Sequence, residues 1–63
     1  MVNIKLKTFL MKRGISQMKL SFDTGVDSAR ISRIIRGWEK PTEEIKDIIT
    51  KYLKVEEKEI FDD

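Results

Sequence analysis

The sequence predicts an all-α fold, a compact bundle of five short helices that forms one domain over residues 1–63. Apolar residues recur at spacings of three and four, and no segment alternates between polar and apolar residues with a period of two. Residues suited to begin and to end helices separate these apolar stretches at short intervals. A chain of 63 residues allows one domain with a small core.

The first predicted helix begins after Asn3, whose side chain suits an N-cap, and runs to Lys12 or Arg13. Gly14 ends it, because glycine readily adopts the left-handed backbone that often follows a helix. Three apolar residues share one face of this helix: Leu6, Phe9 and Leu10.

Residues 16–37 predict two further helices joined by a tight turn. Ser16 is the predicted N-cap of the first helix, which ends at Gly25. Asp27 is the predicted N-cap of the second helix, over about residues 27–36, which ends at Gly37. The second helix buries three residues at helical spacing: Ile31, Ile34 and Ile35. Because each helix is too short to be stable alone, the pair must pack on the rest of the chain.

A fourth helix is predicted after Pro41, which breaks the chain, with Thr42 as its N-cap. Glu43 and Glu44 favour the positive end of its dipole. Its apolar stripe has five members: Ile45, Ile48, Ile49, Tyr52 and Leu53. Three more apolar residues predict a final short helix or turn that closes the core: Val55, Ile60 and Phe61.

Composition excludes several classes of function. The chain has no cysteine and no histidine, which excludes disulfides, thiolate metal sites and catalysis by either residue. No nucleophile–base pair, phosphate-binding loop or carboxylate dyad is present, so we expect no enzyme, no metal and no cofactor. No apolar run approaches the roughly 20 residues of a membrane span, and no signal-peptide pattern begins the chain. The cytoplasm is the expected compartment.

The net charge of +2 conceals a basic half and an acidic half. Residues 1–40 hold nine Lys or Arg and three acids, a net +6, whereas residues 41–63 hold four Lys and eight acids, a net −4. This split favours a polyanion-binding side, with an ordinary solvated surface as the alternative. The helix near residues 27–36 carries small residues and arginine on its polar side, a pattern that fits a DNA major groove.

The chain resembles the phage-repressor and Cro type of helix-turn-helix protein, the Xre-like or lambda-repressor-like family, over roughly residues 4–61. The matching residues are Arg13-Gly14-Ile15-Ser16-Gln17, Leu20, Gly25-Val26, Ile31-Ser32-Arg33-Ile34, Arg36-Gly37, Pro41-Thr42, Leu53, Val55, Ile60 and Phe61. The resemblance implies the five-helix fold and binding of duplex DNA. It also implies a nucleoid-associated cytoplasmic protein encoded by a bacterium, an archaeon or a phage.

Several positions depart from the family pattern. Leu10 and Ile35 stand where the family often has an arginine and a glutamate that pair across the core, so we expect a packed apolar pair instead. Thr24 stands where a larger apolar residue is usual, and its hydroxyl therefore needs a backbone acceptor. Lys54 stands where a helix-ending glycine is usual, a costly exchange if the backbone is left-handed there.

The resemblance also implies which residues meet DNA. Four face base edges: Ser28, Ala29, Ser32 and Arg33. Arg33 is the best candidate for guanine O6 and N7, with a phosphate contact or a solvated charge as alternatives. Seven lie near phosphates: Ser16, Gln17, Arg30, Arg36, Gly37, Trp38 and Lys40. We expect Ser16 to act mainly as a cap and Trp38, the only tryptophan, to be a partly buried lid on the core.

Two functions follow as hypotheses. The first is a sequence-specific regulator of transcription, a repressor or Cro-like switch component, that binds an inverted-repeat operator in double-stranded DNA as a homodimer through residues 54–61. The second is an antitoxin or adaptor that uses the same fold to bind a protein. Met18 and Phe22 are expected at an edge of the core, but their exposure would favour the second hypothesis. RNA binding ranks third, because one tryptophan is no stacking platform.

Overall fold

Five α-helices occur in the computed structural model, which describes residues 2–61. They are α1 (Ile4–Arg13), α2 (Gln17–Thr24), α3 (Ser28–Arg36), α4 (Glu43–Leu53) and α5 (Glu57–Ile60). No strand occurs within residues 2–61, so the predicted all-α class and helix order are confirmed for that range. Met1 and the last two residues of the acidic half, Asp62 and Asp63, lie outside the described residues.

The predicted N-caps begin three of the helices. The side chains of Asn3, Ser16 and Thr42 accept hydrogen bonds from the backbone N–H groups of Leu6 (3.0 Å), Lys19 (3.0 Å) and Ile45 (3.2 Å). Each bond satisfies one of the N–H groups that have no partner within a helix. The local sequence therefore determines where α1, α2 and α4 begin.

The prediction that Asp27 is the N-cap of α3 is confirmed in position, but the side-chain hydrogen bond of a cap is absent. Side chains of α2 order this turn instead: Ser21 Oγ donates to the carbonyl of Val26 (2.5 Å), and Thr24 Oγ1 accepts from the Val26 N–H (3.3 Å). The Thr24 hydroxyl also donates to the Leu20 carbonyl (2.6 Å), which confirms the expected backbone acceptor.

One apolar core holds the five helices together. Each helix contributes one of the most completely buried large side chains: Leu6, Leu20, Ile31, Ile49 and Ile60. Burying one such side chain stabilises the fold by about 1.5–3 kcal/mol. Seven further buried residues extend the core: Leu10, Val26, Ile34, Ile35, Ile45, Leu53 and Phe61. Phe9, Ile15, Ile48, Tyr52 and Val55 pack against it while remaining partly exposed.

The two ends of α4 depart from simple apolar packing. Lys46 is buried, and its ammonium lies 3.6 Å from a carboxylate oxygen of Glu43 and 3.5 Å from one of Glu57, which ties α4 to α5. Sequence analysis missed this contact, because Glu57 lies on another helix. Lys54 ends α4 in a left-handed conformation (φ 59°), so the cost expected for a lysine with a left-handed backbone applies here. No helix among residues 2–61 is long and apolar enough to cross a membrane.

Leu10 and Ile35 both lie in the core, 3% and 4% exposed. The N–H of Asn3 donates to the carbonyl of Ile35 (2.7 Å), which joins the start of α1 to the end of α3. The burial of both residues therefore agrees with the expectation that two apolar side chains stand where the family often has an ion pair.

We predict that Leu10→Arg lowers the free energy of unfolding by about 3–5 kcal/mol, because it places an unpaired charge in the core. Adding Ile35→Glu should recover part of that loss. Leu10→Met, which keeps the volume, should cost less than about 1.5 kcal/mol. Urea denaturation of the wild type, the single variants and the double variant measures these values. Strictly additive losses would mean that positions 10 and 35 do not interact.

Candidate nucleic-acid interface

Helix α3 has one face in the core and the other at the surface. Ile31, Ile34 and Ile35 are buried. Of the four predicted base-reading residues, Ala29 and Arg33 are exposed, whereas Ser28 and Ser32 are partly buried. The surface of α3 therefore presents small side chains between arginines, as the sequence predicted.

Arg30 and Arg33 share one carboxylate. The Nε–H of Arg30 donates to Glu39 Oε2 (2.5 Å), and the Nε–H of Arg33 donates to Glu39 Oε1 (2.9 Å). These two bonds hold the pKa of Glu39 below its usual value, and the bond from Arg33 has the larger effect. The carboxylate is therefore ionised at neutral pH and uses one oxygen for each arginine.

Sequence analysis missed Glu39. One signal was available, since Glu39 is the only acidic residue in residues 28–42, a stretch that also holds four basic residues. Its pairing nevertheless depends on the path of the chain after α3, because it lies nine and six positions from its two partners.

The loop after α3 folds back onto the helix end. Gly37 is left-handed (φ 80°), a conformation that glycine adopts without steric cost. The Gly37 N–H donates to the carbonyl of Ile34 (3.1 Å), and those of Trp38 and Glu39 donate to the carbonyl of Arg33 (2.8 and 3.3 Å). Gly37 and Trp38 are expected near phosphate, but their backbone N–H groups are thus already bonded within the chain. The side chains of Trp38 and Lys40 in this loop are exposed and can contact a ligand.

The prediction that Trp38 is a core lid is wrong, because its side chain is 72% exposed. The reversal of the chain at Gly37 directs it outward, and the guanidinium of Arg36 lies over the ring, 5.3 Å from its centroid. The aromatic residue buried in the core is Phe61. Trp38 and Arg36 together extend the exposed surface beyond the end of α3, and Lys40 is exposed in the same loop.

The start of α2 is a second exposed element. Ser16 acts as the predicted cap, and Gln17, the first residue of the helix, is exposed. The first turn of a helix carries N–H groups and a partial positive charge that attract anions. Gln17 therefore lies where a phosphate contact is chemically reasonable.

The prediction that Met18 and Phe22 form an edge of the core is also wrong. They are 71% and 88% exposed. Both lie two residues from Leu20, the buried residue of α2, and two residues correspond to more than half a turn of helix. They therefore share the face of α2 that points away from the core.

The outer surface of α2 is tied to α4 by a polar contact. The hydroxyl of Tyr52 donates a hydrogen bond to Asp23, and the ammonium of Lys19 lies 3.0 Å from the same carboxylate. The bond from Tyr52, followed by that from Lys19, lowers the pKa of Asp23. The ring of Tyr52 thus packs on the core, while its hydroxyl bonds to the charged side chain of Asp23 at the surface.

Comparisons with known proteins return no match: no family model fits the chain, and no curated protein and no solved structure is significantly similar to it. Within residues 2–61, no group of three or more His, Cys, Asp or Glu side chains is placed to hold a metal ion. The candidate interface therefore rests on the geometry and charge of its own residues.

We predict that stability falls in acid partly through Asp23. Its pKa is lowered in the folded chain, so its contribution is present above the usual carboxyl pKa and is lost as pH falls through the folded value. Urea denaturation between about pH 5 and about pH 2 should show a smaller loss of stability for Asp23→Asn than for the wild type. Tyr52→Phe, which removes the donor, should also flatten the dependence. Parallel curves for the three proteins would contradict this account.

Proposed function

We propose that the chain is a sequence-specific regulator of transcription that binds double-stranded DNA, a repressor or Cro-like switch component. Residues 16–37 would act as a helix-turn-helix of the Xre-like type. The observation that carries the proposal is the division of α3 into a buried isoleucine face and an exposed face of Ala29 and Arg33 flanked by further arginines. A helix divided in this way can lie in a major groove without disturbing the core.

The size of α3 supports this placement. An α-helix with its side chains is about 10–12 Å across, which fits a major groove about 12 Å wide, and the nine residues of α3 extend about 13 Å at 1.5 Å per residue. Ala29 is small enough to approach a thymine methyl group, and Arg33 has the reach and donors for guanine O6 and N7. Ser28 and Ser32, partly buried beside them, are the remaining base-reading candidates.

Phosphate contacts would come from both sides of α3. Gln17 precedes α3 in the sequence, at the start of α2; Arg36 is the last residue of α3, and Trp38 and Lys40 lie in the loop that follows. All four are exposed. Arg30 adds a partly exposed cation on α3 itself, so the surface carries positive charge along its length. Contacts of this kind fix the protein on the duplex and carry no sequence information.

A protein-interaction module of the antitoxin or adaptor type is the second candidate function. It is favoured by the exposure of Met18 and Phe22, since two large apolar side chains four residues apart form a small apolar surface on α2. The two functions differ in the surface that they require: α3 and its following loop for DNA, and the outer face of α2 for a protein.

We predict that binding to a mixed-sequence duplex weakens steeply with salt. The logarithm of affinity should fall linearly with the logarithm of salt concentration, by about 0.9 for each phosphate contacted. Arg36→Gln should reduce this slope by about 1, whereas Lys51→Gln, a matched change in the acidic half of the chain, should leave it unchanged. Fluorescence anisotropy measures the slopes. Affinity that is insensitive to salt would contradict DNA binding by this surface.

We predict different effects for Arg33→Ala and Gln17→Ala. Arg33→Ala should cost about 1–3 kcal/mol on the preferred site and relax the preference at one base pair. Gln17→Ala should weaken all duplexes more evenly, because phosphates are alike in every sequence. Selection from randomised duplexes, followed by sequencing, measures both preferences. An unchanged base preference in Arg33→Ala would remove Arg33 from the base-reading residues.

We predict that two copies bind one inverted-repeat operator, with half-sites about 34 Å apart, because one short helix covers few base pairs. The proposed dimer segment, residues 54–61, has Ile60 and Phe61 in the core, so its contact would be made by the exposed charged residues of α5. Sedimentation of the complex should give two chains per duplex. One chain that protects a single half-site at full affinity would contradict the dimer.

A further inference from the structure

Glu39 is an acidic residue within the surface that we propose binds DNA, where a negative charge does not favour binding. Its side chain is 22% exposed, while those of Arg30 and Arg33, which it joins, are 43% and 46% exposed. Because its carboxylate lies between two arginines of α3, the group of three carries a net +1 instead of +2. A negative charge in this position opposes the approach of phosphate.

Stability alone is a weak explanation for this carboxylate. Ion pairs whose arginines are nearly half exposed contribute little to folding, since water and salt screen them. The geometry is nevertheless well defined. Three backbone hydrogen bonds fold the loop onto the end of α3 and bring Glu39 back beside Arg33, and each carboxylate oxygen accepts one Nε–H.

A carboxylate at Nε constrains the part of arginine that recognition depends on. A charge-assisted bond at this atom fixes the plane of the guanidinium and thus the direction of its remaining donors. Side chains ordered before binding lose less conformational entropy on binding, which favours the one base arrangement that they match. The same negative charge weakens attraction to phosphates of any sequence.

We propose, on the basis of the DNA-binding function above, that Glu39 is a positioning residue that determines specificity. It orients Arg30 and Arg33 for one arrangement of base and phosphate, and it lowers affinity for all other duplexes. Specificity is a difference between two affinities, and this carboxylate acts on both.

Three variants separate the charge of Glu39 from its geometry. Glu39→Gln removes the charge and keeps one acceptor oxygen. Glu39→Asp keeps the charge and shortens the reach by one methylene. Glu44→Gln is the matched control, because it removes the same charge from an exposed position in the first turn of α4. Circular dichroism verifies that each variant is folded.

Two duplexes of equal length serve as probes: the sequence that the wild type selects from a randomised library, and a mixed sequence that lacks it. For Glu39→Gln we expect affinity for the mixed duplex to rise about threefold to tenfold, with a steeper salt dependence, as an arginine is released toward phosphate. Discrimination between the duplexes should fall by at least about threefold in both Glu39 variants. Glu39→Asp should bind the mixed duplex within about twofold of the wild type, because its charge is retained.

A measurement without DNA tests whether Glu39 holds the Nε–H groups of Arg30 and Arg33. The Nε–H signals of Arg30 and Arg33 should exchange slowly with water in the wild type and in Glu44→Gln. At least one should exchange rapidly in Glu39→Gln. Equal exchange rates in all proteins would show that Glu39 does not hold these arginines.

The outcomes distinguish this proposal from the function on which it rests. A wild type that binds neither duplex overturns the DNA-binding function and the role of Glu39 with it. A wild type that discriminates between the duplexes, while both Glu39 variants discriminate equally well, leaves the function standing and overturns the role of Glu39. A loss of thermal stability with unchanged discrimination would likewise reduce Glu39 to a structural residue.

Discussion

The structure depends on burying one large apolar side chain from each of five helices in a shared core. The longest helix has 11 residues and the shortest has four, so none is stable in isolation. This requirement determines which side of each helix points inward. For α3 it places Ile31, Ile34 and Ile35 inside. The arginines of the same helix then lie at the surface as a direct consequence of core formation.

Polar contacts then fix the positions of side chains at the surface of this core. Gly37 allows the chain to reverse after α3, and the backbone bonds that follow place Glu39 against Arg30 and Arg33. The exposed face of α3 therefore includes an ordered cluster in which Arg30 and Arg33 share the carboxylate of Glu39. Asp23 and Tyr52 make a comparable contact, which ties the end of α2 to α4.

Local features of the sequence were sufficient to predict most of the fold. Asn3, Ser16 and Thr42 cap helices through neighbours three residues away, so their role follows from spacing alone. Trp38 and Phe22 were placed wrongly because their burial depends on how distant segments pack, and a large apolar side chain by itself favours the core. Glu39 was missed for a related reason: its partners are on α3, and only the reversal of the chain at Gly37 brings them together.

We propose that α3 and the loop after it form the surface that meets DNA. The most direct test is to follow the backbone amide signals of the chain by NMR while a duplex is added. We expect the largest shifts in α3, at residues 37–40 and at Gln17, with small shifts in the second half of α4, whereas shifts in α5 would report the dimer contact. Shifts concentrated at Met18, Phe22 or α5, with α3 unaffected, would contradict DNA binding by this surface.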